Sequence, residues 1–140
     1  MPITDCKITF SDFKFYINKY ISAAWQNAWN GELHNKLHEI KPILGEWSPA
    51  YREVRRDEVV LCRIRIGHTF FTNSHLLKGE PECVACQCRL TVKHILIECA
   101  DFVHIRQNYF TQASMRELFR EVKSSLILDF LKEINLYKKF

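Results

Sequence analysis

The sequence is poor in the residues and runs that mark several classes of protein. Only four glycines and four prolines occur among 140 residues, which excludes collagen-like repeats and Gly/Ser-rich low-complexity chains. No stretch approaches the roughly 18 apolar residues that a membrane span requires. Residues 1–7 lack the basic start and apolar run of a secretory signal. We therefore expect an intracellular protein, in the nucleus or the cytoplasm, with no membrane partner.

The motifs of common catalytic sites are missing as well. The sequence has no glycine-rich phosphate loop, no nucleophile elbow and no patterned set of carboxylates for catalytic magnesium. Asp57 and Glu58 stand where the start of a helix favours negative charge, which is a structural role. The sequence thus predicts a protein that is not an enzyme by itself and that has no evident small-molecule substrate.

Apolar material is plentiful enough for one hydrophobic core. Hydrophobic residues make up 47% of the chain and charged residues 26%, as in ordinary folded domains. The formal net charge of +4 is unevenly spread, because residues 51–78 hold six arginines and lysines against three acids. An excess of this size is a weak sign of nucleic-acid binding, since solvated helix faces often carry as much.

The strongest helical pattern lies near the N-terminus. Apolar residues recur there at spacings of three and four, the period of one helix face. They are Phe13, Tyr16, Ile17, Tyr20, Ile21, Ala24, Trp25, Ala28 and Trp29. Thr9 or Ser11 can cap this helix, and Gly31 can end it. We expect its apolar stripe to be a packing face.

A break in regular structure follows this helix and a shorter one around Leu37. Two prolines and a glycine, Pro42, Gly45 and Pro49, interrupt any helix there. We place the boundary between two parts of the chain at this break. The parts are an N-terminal helical segment, residues 1–46, and a helical domain, residues 47–140.

The second part is also predicted to be helical. Residues 54–66 form one helix that ends at Gly67, with apolar residues inward and most arginines outward. Ser114 and Glu117 have the spacing of a capping box, and an amphipathic helix around Phe130 closes the chain. No alternating pattern longer than a few residues indicates a strand. The predicted fold class is all-α.

Four residues in the middle of the chain have the spacing of a metal site. Cys83, Cys86, His94 and Cys99 read C-x2-C-x7-H-x4-C. Zinc binds thiolates and imidazole tetrahedrally, and four protein ligands close the site to water, which makes it structural rather than catalytic. Reducing compartments also disfavour disulfides, so a close cysteine pair favours a metal. We therefore predict one structural zinc ion, held in a zinc knuckle.

Two alternatives to this ligand set remain open. Cys88 lies two residues beyond Cys86 and could replace Cys86 or Cys83 as a ligand. We prefer the C-x2-C pair because its spacing is usual for zinc sites. The other alternative is a group of buried reduced cysteines with a histidine nearby.

Several runs of residues give the chain a resemblance to a known family. These runs are residues 55–61, 63–69, 76–79 and 83–99. They resemble the extreme C-terminal region of polyproteins from non-long-terminal-repeat (LINE-like) retrotransposons of animals. The segments around Trp25 and Trp29 and over residues 35–42 are similar to the part that follows the ribonuclease H domain in such elements.

This resemblance implies a zinc-knuckle tail downstream of the reverse transcriptase and ribonuclease H domains. Such a tail helps the element to grip nucleic acid during target-primed integration, and catalysis belongs to the parent polyprotein alone. The resemblance carries over most specifically to the four zinc ligands. A chain that begins with its own methionine departs from the family pattern, so a truncated, non-functional copy is one alternative.

Our leading hypothesis is a module that binds RNA or DNA without sequence specificity. Basic residues around the third helix are its candidate phosphate contacts. They are Arg52, Arg55, Arg56, Arg63, Arg65 and His68. The competing hypothesis is a protein-interaction element whose aromatic first helix docks on the reverse transcriptase or ribonuclease H domain. It predicts that Phe13, Trp25 and Trp29 are partly exposed in the isolated chain.

Overall fold

A computed structural model describes residues 9–45, 54–69 and 81–140, and these ranges are mostly helical. The α-helices in chain order are α1 Phe10–Asn30, α2 Lys36–Ile40, α3 Arg55–Ile66, α4 Val103–Gln107, α5 Met115–Glu121 and α6 Ser124–Glu133. A π-helical turn at His94–Glu98 precedes α4, and a 3₁₀ turn at Tyr137–Lys139 follows α6. Within the described ranges there is no β-strand, and the all-α prediction is confirmed.

The predicted helix ends are found where the sequence indicated them. Thr9 caps α1 in a capping box with Asp12, and Gly31 follows its last turn. Gly67 ends α3 in the left-handed conformation, with φ of +67°, which glycine adopts without steric cost. Ser114 accepts a hydrogen bond from the backbone N–H of Glu117 at the start of α5. Local side-chain chemistry therefore determines these boundaries.

The hydrophobic core joins α3, α5 and α6 to the segment that carries the cysteines. Val60, Leu61 and Ile64 supply the α3 side of the core. The cysteine segment adds Leu90, Val92, Ile95 and Leu96. Phe130 of α6 lies fully buried at its centre, where the rings of Phe102, Tyr109 and Phe110 meet its ring edge to face.

Helix α2 packs with the C-terminal core. It contacts α3 and α5, and its Ile40 belongs to the same buried cluster as their apolar residues. Lys93 forms an ion pair of 3.1 Å with Glu39, which connects α2 to the segment just before the π-helical turn. Residues 46–53 lie outside the described residues, so the boundary between residues 46 and 47 stays a prediction.

The apolar stripe of α1 is not a packing face within the described chain. None of the α1 residues is buried there, and Phe13 and Trp25 keep 57% and 69% of their surface exposed. The described residues attach α1 only near its C-terminal end. There the Trp29 indole N–H donates to the carbonyl of Lys41 at 2.8 Å. Within the described residues, the hydrophobic core makes no contact with this stripe, so its role as a packing face stays a prediction.

Candidate metal centre

A tight turn between residues 82 and 89 presents the first two cysteines. The backbone N–H of Cys83 donates to the carbonyl of Cys88, and that of Gln87 donates to the carbonyl of Cys83, each at 2.8 Å. Glu82 and Arg89 form an isolated antiparallel bridge that closes the turn. Gln87 adopts a φ of +51°, a backbone conformation that residues other than glycine adopt mainly in such turns. The turn brings Cys83 and Cys86 to the same side.

The other two residues of the cluster lie at the two ends of the π-helical turn. His94 begins this turn, and the backbone N–H of Cys99 donates to the carbonyl of His94 at 2.7 Å. In an α-helix, residues five apart would point about 140° away from each other. The wider π turn returns the chain after five residues, so that both side chains face the same way.

Cys83, Cys86, His94 and Cys99 form one compact cluster. Their sulfur atoms and one imidazole nitrogen all lie within 4.8 Å of one another. The sulfur of Cys99 is 3.7 Å from that of Cys83 and 3.9 Å from that of Cys86. His94 and Cys99 are buried, whereas Cys83 and Cys86 are partly exposed. The structure brings together all four residues of the predicted site; we call them the cysteine–histidine cluster.

These distances fit a metal ion better than a disulfide. A disulfide joins its sulfurs at about 2.05 Å, far closer than any pair observed here. Around a tetrahedral ion with metal–sulfur bonds of about 2.3 Å, neighbouring sulfurs lie about 3.8 Å apart. The two sulfur–sulfur distances in the structure match this value. The cysteine–histidine cluster can therefore hold a metal ion, with each residue contributing one ligand atom.

The electrostatics of Cys83 favour a thiolate. Its pKa is lowered to about 7, mainly by the backbone N–H of Cys86, with further contributions from the His94 side chain and the backbone of Ala85, while burial opposes the shift. Hydrogen-bond donors stabilise the negative sulfur more than the neutral thiol. Because thiolates are the metal-binding form of cysteine, the turn prepares Cys83 to act as a ligand.

The electrostatics of Cys99 disfavour a thiolate. Burial raises the pKa of its thiol to about 11, and the neighbouring sulfurs of Cys83 and Cys86 add to the rise. A buried thiolate without a cation is unfavourable, and a divalent ion at the centre of the cluster would supply the missing positive charge. Three thiolates around a dication leave one net negative charge, so a further cation nearby is favourable.

Arg106 on α4 is such a cation, and sequence reasoning missed it. Its guanidinium is buried and donates to the carbonyls of Ile97 and Cys99, the latter at 2.8 Å. Burial lowers the pKa of Arg106, while the charge of Cys99 raises it. These bonds satisfy carbonyls that the end of the π-helical turn leaves open. No spacing in the sequence distinguishes this arginine from those on exposed helix faces.

Cys88 lies beside the cluster. Its sulfur is 3.4 Å from Nδ1 and 3.7 Å from Nε2 of His94, and the residue is exposed. The pKa of its thiol is raised by desolvation and by the charges of Cys86 and Cys83. This environment disfavours its thiolate, in contrast to that of Cys83.

The predicted nucleic-acid contacts are dispersed over different environments. Arg55 is exposed over 85% of its side chain and pairs with Glu58 at 2.6 Å. Arg56 donates to the carbonyl of Lys138 at 3.0 Å, and Arg63 donates to the backbone oxygen of Phe140. His68 is exposed, and Arg52 lies outside the described residues.

Arg65 is the exception to the prediction that most arginines of α3 point outward. Only 7% of its surface is exposed, and its guanidinium carbon lies 5.8 Å from the centre of the Phe119 ring. At the last turn of α3, the buried side of the helix extends to this position, and the long arginine stem packs there. Arg65 therefore serves the packing of α3 against α5.

Within the described residues, no helix is both long enough and apolar enough to cross a membrane. No known protein family, no curated protein and no solved structure matches this chain. Its class therefore rests on its own geometry, which is that of a mostly helical chain with a cysteine–histidine cluster that can hold a metal ion.

Proposed function

We propose that the ion held by the cysteine–histidine cluster is zinc and that its role is structural. The separation of the sulfurs, 3.7 and 3.9 Å, is the observation that carries this proposal. Soft thiolates with one imidazole favour zinc over magnesium or calcium, which prefer oxygen ligands. Four protein ligands leave no open position for a substrate, so the site stabilises the fold and performs no catalysis.

Metal analysis of the purified chain tests the zinc proposal. We expect one zinc per chain in the unmodified protein and in Cys62→Ser, because Cys62 is exposed on α3 and outside the cluster. Cys86→Ser should lose most of the metal. Cys88→Ser should keep it, which separates Cys88 from the ligand set. Equal metal content in Cys62→Ser and Cys86→Ser would overturn the assignment.

For the chain as a whole, we propose a non-catalytic module that binds nucleic acid. The supporting observation is a shallow open groove along α3, where Arg55, Arg63 and His68 surround an apolar floor. The floor is formed by Val59, Cys62 and Ile66. Two arginines beside an apolar surface suit a single strand, whose phosphates bind the guanidinium groups while its bases contact the apolar floor. Glu58 in the same groove offsets part of the charge, so we expect modest affinity.

A titration of labelled single-stranded RNA and DNA with the metal-loaded chain tests this groove. Arg55→Ala is the most informative variant, since Arg55 is exposed, pairs with Glu58 on its own helix, and can be lost without disturbing the core. We expect weaker binding and a salt dependence that is shallower by about one unit of slope. Arg120→Ala, an exposed arginine on α5, is the matched control and should bind normally. Equal affinity of both variants at low salt would overturn the proposal that this groove binds nucleic acid.

A second candidate function is protein interaction through α1. The exposure of Phe13 and Trp25 favours it, since large apolar faces on a helix generally mark contact surfaces. Under the resemblance to retrotransposon polyproteins, which we also propose as the origin of the chain, the partner is the reverse transcriptase or ribonuclease H domain. Stable binding of either domain by the chain, abolished by Trp25→Ala, would support this function.

A further inference from the structure

Helix α1 is long, exposed and weakly attached. Its 21 residues span about 31 Å at 1.5 Å per residue. Residues 41–44 hold it on one flank near its C-terminal end, where Gln26 bonds the carbonyl of Pro42 and the N–H of Leu44, each at 2.8 Å. In proteins, most of the stability of a helix comes from packing its apolar face against another surface. The rest of α1 therefore calls for a partner surface.

Many apolar residues of α1 lie together on the side away from this attachment. On a helical projection, Phe10 and six residues of the later turns fall within about 100° of the circumference. We define these six as the α1 stripe: Phe13, Ile17, Tyr20, Ile21, Ala24 and Ala28. Asp12, Lys19 and Gln26 lie on the opposite side. All residues of the stripe are exposed within the described structure.

We propose that the α1 stripe pairs with the same stripe of a second copy, with the two helices antiparallel about a two-fold axis. One register places Phe13 opposite the partner's Ala28 and Ile17 opposite the partner's Ala24. It also places Tyr20 opposite the partner's Ile21 at the axis, because the residue numbers of each pair have the same sum. Symmetry repeats each contact, as an isologous interface requires.

Side-chain size supports this arrangement. The N-terminal half of the stripe carries the bulky Phe13 and Ile17, and the C-terminal half carries the small Ala24 and Ala28. Antiparallel pairing places large residues against small ones at both ends of the contact, while Tyr20 and Ile21 meet at the axis, and this allows the helices to interdigitate. A parallel pair would instead place large against large at one end and leave a gap between alanines at the other.

Charge also favours a second copy over a charged partner. Asp12, Lys14 and Lys19 are the only charged residues of α1. Asp12 and Lys19 lie on the side opposite the stripe, and the proposed register places Lys14 level with the partner's Asn27. No like charges meet, and no strong charge of one sign calls for an opposite surface. The exposed parts of Phe13, Ile17, Tyr20 and Ile21 offer roughly 450 Å² per copy, about half of the roughly 800 Å² of a standard interface, so the dimer should be weak.

Sedimentation equilibrium of the metal-loaded full chain over a concentration series tests the proposal. We expect a reversible dimer. Ile17→Lys and Ala24→Glu should each weaken association by more than about tenfold, because each brings a charge against an apolar residue of the partner. Ala23→Glu is the matched control. It adds the same charge one position away, outside the α1 stripe, and should dimerise normally.

Mixing the two disruptive variants tests the register itself. Ile17→Lys combined with Ala24→Glu places a lysine opposite a glutamate across the interface, so the mixture should associate more strongly than either variant alone. Circular dichroism and metal content verify that every variant is folded, which is expected because α1 contributes no residue to the core. A monomer at all concentrations would overturn the proposal. Loss of the dimer in Ala23→Glu, or no recovery in the mixture, would do the same.

Discussion

Among single residues, Arg106 shows how the chain holds Cys99 in place. Its guanidinium donates to the carbonyls of both Ile97 and Cys99, the second of them in a buried position. Replacement by alanine should therefore cost about 1.5–3 kcal/mol, the usual effect of losing hydrogen bonds to a charged group. We expect a lower midpoint in urea unfolding of Arg106→Ala, together with weaker metal retention against a chelator.

Two further variants separate this role from a general effect of charge. Arg106→Lys keeps the positive charge but cannot donate to two carbonyls in the same planar geometry, so it should recover little of the loss. Arg116→Ala removes an exposed arginine from α5 and should unfold at the same urea concentration as the unmodified chain. If Arg106→Ala and Arg116→Ala unfolded alike, the proposed positioning of Cys99 would be wrong.

The thiols of the cysteine–histidine cluster predict how metal binding depends on pH. The pKa of Cys99 is raised to about 11, so without metal its thiol is protonated at neutral pH. The pKa of Cys83 is lowered to about 7, so this thiol is partly ionised there. A metal ion binds thiolates and displaces these protons, and its affinity must rise with pH. We expect proton release on zinc addition at pH 7, measured with an indicator dye, and progressive metal loss as the pH falls below 7.

At the residue scale, the sequence predicted the ligands but not their surroundings. Three cysteines and one histidine with the spacing of a zinc site indicated Cys83, Cys86, His94 and Cys99 as a set, and these four residues lie together in the structure. Arg65 and Arg106 could not be identified in this way. An arginine can pack its stem and donate to carbonyls inside the chain, or extend into solvent, and its position along the sequence is the same in both cases.

Among the elements, the π-helical turn explains the H-x4-C spacing. A continuous α-helix would direct His94 and Cys99 to different sides, so one extra residue per turn is required. A threonine hydroxyl caps this turn. The Thr91 hydroxyl accepts a hydrogen bond from the His94 N–H at 3.0 Å. The wider turn could not be predicted, because helix propensity does not distinguish α from π and the closing contacts are tertiary.

The same cap leads to a prediction for Thr91. Thr91→Ala removes the oxygen that bonds the His94 N–H and should destabilise the folded chain by about 1 kcal/mol. Thr91→Ser should retain most of that stability, because serine supplies the same hydroxyl. Thr111→Ala, in an exposed position before α5, is the control. Thermal or urea unfolding of the three variants measures these effects. Equal stability of Thr91→Ala and Thr91→Ser would contradict the stabilising role of the Thr91 cap.

Helix α1 marks the limit of element-scale prediction. Its period, its capping box at Thr9 and its end at Gly31 were all read from the sequence and confirmed. The sequence does not reveal whether its apolar stripe is buried within the chain, because an apolar face has the same pattern whether it packs inside the chain or on another molecule. In the described residues, helices α2 to α6 pack their apolar faces against one another. This arrangement shows that α1 contributes nothing to their core.

For the whole molecule, the cysteine–histidine cluster and the hydrophobic core are closely connected. Leu90, Val92, Ile95 and Leu96 lie between residues of this cluster in the sequence and pack against α3, α5 and α6 in the same buried core. A structural zinc contributes on the order of 10 kcal/mol, which is comparable to the entire stability of a small domain. The effect of the ion should therefore extend beyond the segment that binds it.

Chelation of the metal-loaded chain tests whether the ion stabilises the whole core. We expect hydrogen exchange to accelerate throughout residues 54–69 and 81–140, since the ligands and the core unfold together. Exchange within α1 should change little, because α1 buries no residue in that core. Added zinc should restore protection, and added magnesium, which prefers oxygen ligands, should not. If protection were lost only around the cysteines while α6 kept its own, the core would be stable alone and the ion would have only a local role.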